Sequence, residues 1–138
     1  MDTSHLLHLY HQKLRMFQNE LNITLNQFGL YHSQWTILYT LYQKGNITQT
    51  EIWQYLKVEA PTITRTLVKM EQRGWVERKI GTDKRERIVT LTERAISTYP
   101  EIIQAVKQTE ELFLEQLSKQ EKLTLQHLLE KLSIERDE

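Results

Sequence analysis

The sequence predicts a mainly α-helical chain with one small β-hairpin. Three observations carry that reading. Glycine and proline are scarce, four and two in 138 residues, so little interrupts long helices. Apolar residues near the N-terminus recur in steps of three and four, at Leu7, Tyr10, Leu14, Phe17 and Leu21. One region breaks the pattern. Residues 75–80 and 87–91 are alternating and β-branched, with a polar six-residue tip between them.

The elements follow in order. A first helix covers about residues 4–28, its stripe widened by Leu6, Met16, Leu25 and Phe28 and its end capped by Gly29. A second runs from about Ser33 to Lys44, with Trp35, Leu38, Leu41 and Tyr42 inward and Gly45 as its stop. Thr48-Gln49-Thr50-Glu51 is a capping box and opens a short helix ending near Leu56. Pro61 suits the first turn of the next helix, which runs to Arg73 and stops at Gly74. Two short helices joined by a tight turn form a helix-turn-helix candidate. In the hairpin that follows, four of the six tip residues, 81–86, are charged, so the tip stays in solvent. Thr92 caps a long helix over about 93–117, with Ile96, Tyr99, Ile103, Val106, Phe113 and Leu117 on its apolar side. Pro100 should kink that helix or delay its regular start. A second capping box, Ser118-Lys119-Gln120-Glu121, opens a last helix with Leu125, Leu128, Leu129 and Leu132 on one stripe.

Composition narrows the function. The length suits a single domain over residues 1–138, and 39% apolar residues suffice for a core. The chain has no cysteine, which excludes disulfides, thiolate metal sites and thiol redox chemistry. No apolar run approaches the roughly 20 residues of a membrane span. The N-terminus does not read as a signal peptide, so the expected location is the cytoplasm, with no membrane partner. Net charge is zero, but unevenly spread. Residues 61–94 carry nine positive and five negative charges, and residues 95–138 carry five and nine. The local excess of +4 sets the field that a phosphate backbone would meet.

The basic stretch contains a pattern suited to DNA. On the helix from 61 to 73, Ile63, Leu67 and Met70 share one face. At about 100° per residue, Arg65 then lies roughly opposite, with Thr62, Lys69 and Arg73 on the same outward half. An arginine there can bond guanine O6 and N7 together, and a threonine can bond phosphate or touch a thymine methyl. The hairpin tip offers Lys84 and Arg85 beside Asp83. Arginine on a slender tip suits a narrow minor groove, and Asp83 can orient it.

In their order and spacing these motifs resemble the MarR family of winged helix-turn-helix regulators. The resemblance covers about Leu30 to Thr92. It is carried by Thr48-Gln49-Thr50-Glu51-Ile52, Pro61-Thr62-Ile63-Thr64-Arg65-Thr66-Leu67 and Glu71-Gln72-Arg73-Gly74-Trp75-Val76. Asp83-Lys84-Arg85 and Val89-Thr90-Leu91-Thr92 complete it. The family implies a winged helix-turn-helix over 30–92, and N- and C-terminal dimerisation helices over 1–29 and 93–138. It implies a homodimer on a pseudo-palindromic double-stranded DNA operator, usually a repressor. Many members release DNA when a small aromatic effector, often phenolic, enters a cleft. Carried over, Arg65 is a base reader and Arg85 the minor-groove contact. Thr48, Gln49, Pro61, Thr62, Thr64, Lys69, Lys84 and Arg87 complete the expected DNA-binding set, with Asp83 in a wing salt bridge to Arg85. Leu7, Tyr10, Leu14, Phe113, Leu117, Leu125, Leu128 and Leu132 form the expected dimer seam. Tyr31 stands where the family often has a capping threonine, which moves the expected cap to Ser33. Trp53 and Ala95 depart from the usual Ala and Gly.

Other readings are weaker. His5, His8 and His11 drift around their helix and read as solvated or interfacial rather than as metal ligands. Tyr10, Tyr39, Tyr42 and Trp53 read as ordinary packing residues before they read as a ligand cleft. No cofactor or metal is expected. No nucleophile triad, phosphate loop or HExxH motif suggests an enzyme. The alternative is a winged-helix protein-interaction module that does not bind DNA.

Overall fold

A computed structural model describes residues 1–136. It contains α1 (Thr3–Asn26), α2 (His32–Lys44), β1 (Ile47–Thr48), α3 (Gln49–Leu56) and α4 (Ala60–Gln72). Then follow β2 (Val76–Ile80), β3 (Arg87–Leu91), α5 (Glu93–Phe113) and α6 (Lys119–Lys131). The three strands form one antiparallel sheet in the order β1-β3-β2. The hairpin expected from the sequence is β2–β3. The added strand β1 sets Ile47 opposite Val89 and Thr48 opposite Ile88. Two residues are too few to show a period, so the sequence alone does not reveal it.

The core joins every element except α6. Leu25, Ile37, Leu38, Ile52, Leu67, Met70, Val76, Val89, Ile102 and Val106 are all buried in it. Three capping threonine or serine side chains behave as the sequence predicts. Thr48 accepts from Glu51 N–H, Thr92 from Ala95 N–H and Ser118 from Glu121 N–H, each at 3.1 Å. A full capping box closes around Thr48 and around Ser118.

Four details differ from the sequence reading. The cap of α2 is Tyr31, not Ser33. The Tyr31 N–H donates to Gln34 Oε1 at 3.0 Å, and the His32 N–H to Asn22 Oδ1 of α1 at 2.8 Å. The first N–H of α2 is thus satisfied by a side chain of a neighbouring helix. Second, α5 ends at Phe113 rather than 117, which leaves Leu117 in the turn. Ser118 must adopt an extended backbone (ψ 166°) to cap α6, so the preceding helix has to unwind first. Third, Ile96 is 51% exposed, while the buried stripe of α5 is Ala95, Tyr99, Ile102 and Val106. Fourth, Tyr42 is 44% exposed, though its ring stacks on Tyr99 at 3.6 Å. The helix α5 begins at Glu93 and runs through Pro100, so the proline does not delay its start.

Much of the terminal apolar surface is uncovered. Leu7, Tyr10 and Leu14 of α1 are exposed, and so are Leu125 and Leu128 of α6 and Leu132 just beyond it. No residue of α6 is buried.

The α5 face gives a direct stability test. Ile102→Ala should destabilise by about 2–5 kcal/mol, because it empties a filled core site. Ile96→Ala should change stability by less than about 0.5 kcal/mol. Urea unfolding of both variants checks this; equal losses would place the buried face wrongly.

Candidate nucleic-acid interface

The helix α4 fixes which side chains face outward. Ile63, Leu67 and Met70 are at most 3% exposed, so one stripe is anchored in the core. Thr64, Arg65 and Lys69 are exposed, as is Pro61 at the first turn, and Thr62 is half-buried. Arg65 Nη2 donates to Thr62 Oγ1 at 3.3 Å, which steers the guanidinium along the outer face. Arg73 is the C-cap, past the regular helix. The turn before α4 uses Lys57 in the left-handed conformation (φ 59°), where a glycine is more usual.

The wing tip is held by short local contacts. The Arg85 N–H donates to Asp83 Oδ1 at 3.0 Å, and its Nη2 lies 3.4 Å from Asp83 Oδ2. The Arg85 side chain is 91% exposed, so this ion pair adds little stability and serves to orient the side chain. Arg87 Nη1 donates to the carbonyls of Lys84 (3.0 Å) and Glu86 (3.2 Å). Arg87 therefore braces the tip, a role its sequence position did not disclose. Lys84 is exposed.

Behind these surfaces lie two connections that sequence reasoning missed. The first centres on Arg78 of β2, whose side chain is only 20% exposed. It donates to Glu71 of α4 and to Gln49 of α3, both at 3.2 Å, while its Nε–H is buried without a partner. Gln49 is thus engaged from behind, and Thr48 is occupied by its cap. The second joins α5 to the exit of α4. Thr92 Oγ1 donates to Gly74 O at 2.6 Å, its N–H donates to Trp75 O at 3.2 Å, and Arg94 donates to Arg73 O. The Arg94 guanidinium also covers the Trp75 ring at 4.2 Å. Gly74 (φ 79°) sits beneath, and a Cβ there would strain the backbone and press on Arg94. Strand alternation sets Arg78 on the same face of β2 as the buried Val76, and a charged residue at such an inward position was the available clue.

Charge on this surface is little compensated. Among the described residues only two ion pairs occur, Arg78–Glu71 and Arg85–Asp83. Arg65, Lys69, Lys84 and Arg87 take part in neither. No group of three or more potential metal ligands occurs among the described residues, and His5, His8 and His11 are exposed. No described helix is long and apolar enough to cross a membrane. A stacked aromatic group, Trp35–Tyr99–Tyr42, lies between α2 and α5. Burial pushes the Tyr99 phenol above the usual tyrosine range.

Hydrogen bonding to Arg78 holds the Glu71 carboxyl below its ordinary value of 4.5. A lowered folded value means the contribution is full above the unfolded value and is lost as pH falls through the folded one. The stability gap between wild type and Glu71→Gln should therefore be constant near neutrality and shrink below about pH 4.5. Urea midpoints from pH 7 to pH 3 check the sign; a gap that widens in acid would contradict it.

Comparison with known proteins places this arrangement. Residues 30–86 match the sequence model of the MarR family. The chain is 45% identical over 124 residues to YwoH of Bacillus subtilis strain 168, an uncharacterized HTH-type transcriptional regulator. That match covers 90% of each protein. A mutant MarR from E. coli complexed with operator DNA superposes with a TM-score of 0.85 at 28% identity, covering 91% of both chains. Overoxidized AbfR bound to DNA superposes at 0.73 with 30% identity, over 91% of this chain and 93% of that one. With its winged-helix fold, its helix-turn-helix motif and this likeness, the chain belongs to the MarR family of transcriptional regulators.

Proposed function

We propose that this regulator, a DNA-binding protein and not an enzyme, acts as a homodimeric repressor on a pseudo-palindromic operator. One observation carries the DNA surface. The buried stripe of α4 leaves Arg65 and Lys69 exposed on the recognition helix, with no carboxylate partner among the described residues. Arg65 reads a guanine in the major groove, and Thr62, Thr64, Lys69 and Pro61 line the helix against the adjoining bases and phosphates. Arg85, oriented by Asp83, enters the minor groove, and Lys84 meets phosphate. Thr48 and Gln49 lie at the start of α3, which crosses the backbone. Arg87 acts by holding the tip.

The uncovered leucines support the dimer. A chain of this size rarely leaves so many apolar side chains in water on two helices. Leu7, Tyr10, Leu14, Leu125, Leu128 and Leu132, joined by the half-buried Phe113 and Leu117, form the seam. Residues 1–29 and 93–136 then hold the dimerisation helices α1, α5 and α6, and 30–92 the DNA-binding part; the last two residues of the expected range, 137–138, lie outside the described residues. The two recognition helices meet major grooves about one helical turn apart, so half-site centres lie about 10 bp apart. Release by a small phenolic effector is the part of this proposal that rests on the family resemblance alone, since Trp35, Tyr99 and Tyr42 fill the space between α2 and α5 with one another.

Fluorescence anisotropy against the upstream region of the protein's own gene, with scrambled DNA as control, tests this reading. Specific binding should exceed the control by about a thousandfold. Phenolic ligands titrated into the same complex should release the DNA. No binding to either duplex at low salt would favour the protein-interaction module instead.

Two substitutions separate the contacts. Arg65→Ala should cost about 1–3 kcal/mol and relax one base position. Arg85→Ala should reduce the slope of log affinity against log salt by up to about one unit. Unchanged base preference in the first, or an unchanged slope and affinity in the second, would remove that contact. Leu128→Glu should yield monomers in sedimentation equilibrium, and a variant that stays dimeric would place the seam elsewhere.

A further inference from the structure

The polar atoms between β2, α3 and α4 form one directed chain of hydrogen bonds. Glu71 accepts twice from Arg78, from Nη2 at Oε1 and from the backbone N–H at Oε2, both at 3.2 Å. Arg78 Nη1 donates to Gln49 Oε1 at 3.2 Å. Gln49 Nε2 donates to Thr64 Oγ1 at 3.5 Å, and that hydroxyl donates to the Ala60 carbonyl at 3.1 Å. Each direction is forced. A guanidinium only donates, so the atom facing Nη1 must be the amide oxygen of Gln49. Flipping the amide would set N–H against N–H. The Thr64 proton is already committed to Ala60, so Thr64 accepts from Gln49.

We propose that Arg78 is a positioning residue for DNA binding, holding Gln49 so that its free amide N–H donates to an operator phosphate. The proposal rests on the DNA-binding reading above. Gln49 is the first residue of α3 and is only partly covered. Reading adenine takes both an acceptor and a donor from glutamine, for N6 and N7. Here the acceptor is taken from behind by Arg78, which removes that mode. What remains is a donor, one of its two hydrogens held by Thr64 and the other free. The first helix of a helix-turn-helix crosses the backbone rather than entering the groove, and phosphate oxygens only accept. Arg78 touches no DNA in this scheme. It acts through Gln49, and its pairing with Glu71 keeps the guanidinium fork in place.

A double-mutant cycle on the operator tests the proposal. Affinities are measured for wild type, Gln49→Ala, Arg78→Met and the double variant, with melting temperatures as a folding control. Each single change should weaken binding roughly tenfold, the scale of one hydrogen bond to a charged group. The double variant should bind no more weakly than Gln49→Ala, because Arg78 acts only through that side chain. Replacing operator phosphates one at a time by methylphosphonate adds a readout that needs no Arg78 variant. One position should weaken wild type while leaving Gln49→Ala unaffected. Two results overturn the proposal: an Arg78→Met loss that persists undiminished in the Gln49→Ala background, or a Gln49 effect that follows a base change instead of a phosphate. Wild type failing to bind any duplex overturns the DNA-binding reading itself, which separates the two failures.

Discussion

The burial of one face of α4 is the constraint on which the rest depends. Ile63, Leu67 and Met70 sit in the core and cannot leave it without emptying well-packed space. A helix is rigid, so fixing three side chains fixes the direction of all the others. Arg65 and Lys69 face outward because the apolar stripe faces inward. The outer face proposed to read DNA is thus set first by packing, with the Arg65–Thr62 hydrogen bond adding only local steering. That separation suits a regulator, since the outer residues are free to differ between relatives without loss of the fold.

Position is then passed between elements by polar contacts. At the exit of α4, three successive carbonyls, of Arg73, Gly74 and Trp75, are met by Arg94 and Thr92 at the start of α5. A helix normally leaves such carbonyls to water or to a local cap. Here α5 takes them, so the helix that carries part of the terminal apolar surface is tied directly to the one proposed to read DNA. On the other side, Arg78 ties the wing strand to α3 and α4. Strand β2 of the wing is thus fixed to both helices of the helix-turn-helix, while the N-terminal half of α1 and all of α6 stay exposed.

Much of this was legible in the residues. The helices, both capping boxes, the hairpin and the outward turn of Arg65 follow from periodicity and cap chemistry. The Asp83–Arg85 pair followed from adjacency. What the residues hid was mostly tertiary. Strand β1 is too short to show a period, and it exists because β3 offers an edge. The cap of α2 is completed by Asn22, distant in sequence. The face of α5 is ambiguous near its start, where the runs 96-99-103-106 and 95-99-102-106 both have helical spacing; the structure buries Ala95, Tyr99, Ile102 and Val106 and leaves Ile96 exposed. Arg78, Arg87 and Arg94 looked like surface charge. Arg78 and Arg94 donate to groups distant in sequence, and Arg87 to two carbonyls of its own tip.

In the proposed complex the outer face of α4 enters the major groove while the wing tip enters the minor groove. The chain has no cysteine, so a single introduced one is a unique attachment point for an iron–EDTA chelate. Cleavage of bound operator by the chelate on Lys69→Cys and on Lys84→Cys reads the groove directly. From position 69 the cuts should be staggered toward the 5′ side across the two strands, the pattern of the major groove. From position 84 they should show the 3′ stagger of the minor groove. The same stagger from both positions, or operator cleavage from neither, would contradict this placement.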